Sequence, residues 1–79
     1  MAPRNLPGFP HARRVRPKTG FAGGRRPRWR DDANDDILEW DARHGRVERY
    51  DTRGTHLGEF DPETGERLSP PDPTRKVEP

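Results

Sequence analysis

Between Ile37 and Ser69 apolar and polar positions alternate in four short runs, ILEWDA, RVERYD, THLGEF and ERLS. The turn signals RHG, TRG and DPETG separate them, and PPDP closes the series. Runs this short, about ten residues apart and joined by Gly-containing turns, predict an antiparallel meander. In the first hairpin, a two-residue turn at His44-Gly45 would pair Arg43 with Arg46, Ala42 with Val47 and Asp41 with Glu48. Alternation then places Leu38, Trp40, Ala42 and Val47 on one face, and Glu39, Asp41, Glu48 and Tyr50 on the other. The first face is a core and the second is polar. Two carboxylates stand opposite each other in that register, which is destabilising unless cations intervene. Trp29, Trp40, Tyr50 and Phe60 are expected in the core rather than as base-stacking platforms.

The first third of the chain reads differently. MAPRNLPGFPHARRVRPKTGFAGGRRPR carries five prolines and a Gly-Gly pair without periodicity. It is expected to be a disordered or extended arm over residues 1–24, leaving a folded domain over 25–79. The acidic cluster DDANDD that follows is of a kind that caps a short helical turn. No stretch supports a long amphipathic helix.

Composition narrows this further. The chain has 79 residues, 38% of them charged and 25% hydrophobic. A domain of this size buries only about 60% of its unfolded surface, so its stability is expected to be small. Without cysteine it has neither a disulfide framework nor a Cys-based zinc site. No apolar run approaches the ~18 residues of a membrane span, and no signal-peptide core is visible. Export, if it occurs, is therefore expected to depend on a larger parent chain or a delivery system. The net charge of +2 conceals a division. Residues 1–30 hold nine cations and no acid, whereas residues 31–79 hold seven cations and all 14 acids. A basic segment on an acidic body suits either a polyanion partner or a solvated linker.

The candidate chemistry lies in EWDARHGRVERY. Asp41, His44 and Glu48 surround one Gly, an arrangement that serves proton transfer or is simply a charged hairpin. With a cation added, the group suits RNA strand cleavage. A base takes the 2′-hydroxyl proton, an acid protonates the leaving 5′-oxygen, and the cation stabilises the phosphorane. No metal and no cofactor are expected, because His11, His44 and His56 lack short ligand spacing. There is no Gly-rich phosphate loop and no Ser or Cys nucleophile in a recognisable setting. Two other readings remain open: a non-enzymatic RNA- or ribosome-binding protein, and a single copy of a structural Tyr-Asp repeat carried by RYDTRGTHLGEFDPETG.

Taken together, RRPRW, EWDARHGRVERY, GTHLGEFDPETGERL and PDPTRK resemble the C-terminal cytotoxic ribonuclease domain of the ribosome-inactivating colicins and cloacin. The resemblance covers residues 25–76. It implies a mainly β fold, a highly twisted antiparallel sheet with a short N-terminal helical element. It also implies a metal-independent endonuclease that cuts 16S ribosomal RNA in the decoding site and stops translation. The partners implied are the ribosome and a cognate immunity protein, with action in the cytoplasm of a target bacterium. Matched residue by residue, the catalytic group is Asp41, His44, Glu48 and Arg75. Glu48 is then the base, His44 the acid, Asp41 the orienting group and Arg75 the phosphate brace. His56, Tyr50, Lys76, Arg25, Arg26 and Arg28 are the expected substrate contacts.

Overall fold

A computed structural model describes residues 2–21 and 23–79, with Phe21 described by its backbone alone. Eight strands form: β1 (Ala12–Val15), β2 (Gly20–Phe21), β3 (Gly24–Arg25), β4 (Arg28–Asp31), β5 (Asp36–Asp41), β6 (Arg46–Tyr50), β7 (His56–Phe60) and β8 (Arg67–Ser69). Six of them make one antiparallel sheet in the order β1-β4-β5-β6-β7-β8. β2 and β3 form a small hairpin of their own. The expected meander is β5 to β8, and β4 and β1 extend it by two strands. No helix occurs among the described residues, and none is long and apolar enough to cross a membrane.

The turns are built by aspartates. Asp31, Asp41, Asp51, Asp61 and Asp72 each open a reversal, and each side-chain Oδ1 accepts an amide two residues on. A short carboxylate that satisfies amides within its own turn gives the chain a local reason to reverse there.

The turn after Asp41 changes the expected register. Asp41 Oδ1 accepts from the amides of Arg43 and His44, and its carbonyl accepts from Gly45 N–H at 2.8 Å. The loop is therefore four residues, Ala42 to Gly45, with Gly45 taking the left-handed φ of 65° that favours glycine. Asp41 pairs with Arg46, Trp40 with Val47 and Glu39 with Glu48. The shift is two residues, so the faces stay as expected while the opposed carboxylates become Glu39 and Glu48.

One face carries the core: Trp29, Leu38, Val47 and Phe60, with Trp40 packed beside them. It is closed by the segment that was expected to be a free arm. Leu6 and Phe9 are buried on this face, and Phe9 meets Phe60 edge-on with ring centroids 6.1 Å apart. The Trp29 indole donates to the Arg4 carbonyl, and β1 adds Ala12–Val15 to the edge of β4. Gly8 lies so close to Gly65 that a side chain there would meet backbone. The expectation of an extended arm with a short helical element is thus corrected. A chain with so few apolar residues recruits Leu6 and Phe9 because the sheet face would otherwise stay wet.

Candidate active site

The other face is polar, and much of it is buried. The register runs one row of residues across all six strands, Val15–Arg28–Glu39–Glu48–Glu59–Ser69. Three successive members are acids, and Glu39 and Glu48 are both 0% exposed. Such a row stands only if each charge is answered. Arg28, 2% exposed, gives Nε and Nη2 to Glu39 Oε2 at 3.1 and 2.8 Å, and Thr19 Oγ1 donates to the same oxygen at 2.6 Å. Arg46 Nη1 donates to Glu59 Oε1 at 3.1 Å.

Glu48 is held differently. Its Oε1 takes His56 Nε2 at 2.7 Å and Arg75 Nη1 at 3.1 Å, while the buried Oε2 has no donor facing it. Glu59, its cross-strand neighbour, can partner that acid only if one of the two carries a proton. Burial raises the Glu48 pKa from the usual 4.5 to about 7, and hydrogen bonding to Glu59 adds to the rise against the pull of Arg75. Glu59 moves the opposite way, lowered first by that bond with Glu48 and further by Ser69 and Arg46, against its own burial. The two directions make Glu48 the more basic of the pair.

Asp41 and His44 make a second pair at the hairpin end. His44 Nδ1 lies 2.7 Å from Asp41 Oδ2, and the ring is exposed, its side chain at 56%. Burial raises the Asp41 pKa, but its bonds and charge contact with His44 and the Arg43 amide outweigh this and leave it lowered. Asp41 is thus an ionised orienting group, and it leaves His44 Nε2 to solvent or substrate.

Of the remaining expected contacts, Tyr50 is buried, its hydroxyl accepting from Arg75 Nη2 at 3.3 Å. Burial pushes its pKa up to about 12 against the charges of Arg75 and Arg26. His56 is buried too, with both ring nitrogens engaged. Arg28 is committed to Glu39. Arg26 is half-buried near Tyr50, and Arg25 and Lys76 are exposed. Asp41, His44, Glu48 and Arg75 thus lie on one face, with Tyr50 and His56 beside them. Sequence reasoning missed Glu59. The only signal for it was its register opposite Glu48 across the TRG turn.

A carboxylate oxygen each from Asp41 and Glu59 and a His44 ring nitrogen fall within 4.8 Å of one another, the only three-residue group of metal-ligand type among the described residues. Each of these side chains is already engaged: Asp41 with His44, and Glu59 with Arg46 and Glu48.

A buried acid of raised pKa, an oriented histidine and a cation thus share one sheet face, the kinds of group that proton transfer requires. A family model described as Cytotoxic matches residues 1–78, and the chain belongs to this family of colicin-type cytotoxic ribonuclease domains. Among curated relatives, it is 46% identical to colicin E3 of Escherichia coli over 72 residues, 90% of this chain and 12% of that protein. It is 48% identical over 62 residues both to cloacin and to colicin E6 of Escherichia coli, 77% of this chain and 11% of each. The chain thus spans about a tenth of the length of these relatives. The family match leaves the reading as a lone Tyr-Asp repeat without support.

Proposed function

We propose that this chain is a ribosome-inactivating endoribonuclease that cuts 16S ribosomal RNA at the decoding site without a metal. The observation that supports it most is the Glu48 constellation: a buried acid whose pKa burial raises toward neutrality, beside a cation and on the same sheet face as an oriented histidine. In this reading Glu48, once ionised, takes the 2′-hydroxyl proton. His44 delivers a proton from Nε2 to the departing 5′-oxygen while Asp41 holds Nδ1. Arg75 covers Glu48, yet its own side chain is 37% exposed. An incoming phosphate would draw this guanidinium off the acid and keep it as the brace for the phosphorane. Tyr50 and His56 then hold the positions of Arg75 and Glu48. Arg25, Arg26 and Lys76 remain the candidate contacts to flanking phosphates, and Arg28 acts through Glu39.

By the same reading the domain acts in the cytoplasm of a target bacterium, arrives as part of a larger exported toxin, and is neutralised at home by an immunity protein. Intact ribosomes incubated with the protein should yield one discrete small-subunit RNA fragment on a gel. An uncut RNA would favour the other function class, a ribosome-binding protein without activity.

A further inference from the structure

The acidic row that supplies the chemistry is a poor surface for a polyanion. Glu39, Glu48 and Glu59 occupy three adjacent strands, and the two half-exposed cations over them, Arg46 and Arg75, are already tied to Glu59 and Glu48. Cations gather elsewhere on the same face. Where β1 meets β4, a cleft of about 250 Å³ is lined by Arg13, Arg16, Lys18, Arg28 and Arg30, with Val15 and Ile37 as its aliphatic members. No acid lines it.

Register ties this cleft to the site. Val15 and Arg28 are the first two members of the row that continues through Glu39 to Glu48. Arg13, Arg30 and Ile37 begin the neighbouring row, which continues to Tyr50 and His56. β1 is three strands from β6, so at about 4.8 Å per strand the far side of the cleft lies about 14 Å from Glu48. An RNA strand spans that in a few nucleotides. Some of these cations have partners, but weak ones. Arg13 and Arg30 pair with the exposed Asp32 and Asp35, and Lys18 donates to the Pro79 carbonyl. Exposed pairs of this kind contribute little and exchange readily for a phosphate.

We propose that the β1–β4 cleft is a second phosphate subsite, holding the backbone of the RNA strand a few nucleotides from the bond that is cut. This rests on the ribonuclease reading above. The row of acids reads the reacting nucleotide, and the cleft supplies the attraction the acids lack. Val15, half-buried, offers sugar an aliphatic contact between the cations.

The test uses a short RNA copying the decoding site, with a 2′-deoxy nucleotide at the scissile position so that it binds uncut. Its affinity is titrated against salt for the parent, for Arg16→Ala with Lys18→Ala, and for Arg53→Ala with Arg67→Ala as an equal charge loss elsewhere. Each phosphate contact on a single strand contributes about 0.7 to the slope of log affinity against log salt. The cleft variant should lose about 1.4 from that slope and bind several-fold more weakly at low salt, and the control pair should keep the parent slope. In cleavage of the all-ribose RNA, the loss should fall on KM. Equal slopes for parent and cleft variant overturn the subsite, as does an equal loss in the control pair. If the cleft variant keeps RNA and instead loses an acidic protein partner, the cleft is a protein surface and the proposal fails. A parent that does not bind the RNA at all sinks the ribonuclease reading, and the subsite with it.

Discussion

The backbone N–H of Asp72 donates to His56 Nδ1 at 2.8 Å. That one bond fixes the tautomer. With Nδ1 accepting, the ring proton sits on Nε2, which donates to Glu48 Oε1. Burial, and then the positive Arg75, lower the His56 pKa against Asp72 and Glu59, so the ring stays neutral. A residue in the tail after β8 thereby sets the tautomer of a ring on β7, the neighbouring strand.

His56→Ala removes a donor to the Glu48 carboxylate, so the acid should hold its proton more tightly. A hydrogen bond to a charged group contributes about 1.5–3 kcal/mol, which places the acid limb of the pH–rate profile about one to two units higher. His56→Gln, which keeps a donor, should recover part of the shift. An unmoved limb in His56→Ala would show that the ring has no hold on Glu48.

Glu48→Gln should cut ribosomal RNA roughly 10²–10⁴-fold more slowly. It should also be the more stable protein in alkaline solution. Because the folded pKa of Glu48 is raised, the folded state binds the extra proton, and stability falls as pH rises from about 4.5 to about 7. Above that window the parent carries a buried carboxylate that the amide variant lacks. Thermal melts at pH 5 and pH 8 check the sign: the variant's advantage should appear at pH 8 and shrink at pH 5.

Activity should survive EDTA. The group formed by Asp41, His44 and Glu59 is the place where a divalent ion would sit if one were needed, and its oxygens and ring nitrogen are already engaged. Cleavage lost in chelator and restored by added magnesium or zinc would convert the mechanism to metal-assisted hydrolysis.

Phe9→Ala should destabilise the domain by about 3–5 kcal/mol, the usual range for emptying a buried aromatic position. Small domains have only about 5–15 kcal/mol in total, so the variant should melt far below the parent. Deleting residues 2–11 should prevent folding altogether. A truncated chain with a native circular dichroism spectrum would restore the idea of a dispensable arm.

Strands β5 to β8 were legible because their alternation is regular and their turns contain glycine. The polar and apolar faces of the first hairpin were legible too, since a register error of two residues leaves both faces intact. The opposed pair was not. Choosing Glu39 over Asp41 depended on Asp41 spending its side chain inside the turn, a local hydrogen-bond choice that periodicity does not report. β1 and β4 were hidden because Arg-rich strands lack alternation, and prolines on either side read as linker. Leu6 and Phe9 are isolated apolar residues whose partners lie on strands far along the chain. Arg75 came from resemblance alone. Glu59 needed the TRG turn's register, which shifts at the bulge between Arg49 and Tyr50.

The order of strands has a mechanical consequence. β1 and β8 are the two outer edges of the sheet, and each lies close to an end of the chain. A pull on the N-terminal end would first uproot Leu6 and Phe9, exposing the core, and then peel β1 from β4 one backbone bond at a time. Strands that unzip in sequence yield to less force than strands sheared together. A domain tied to its surroundings through that end would thread through a narrow opening more readily than its dense charge network suggests.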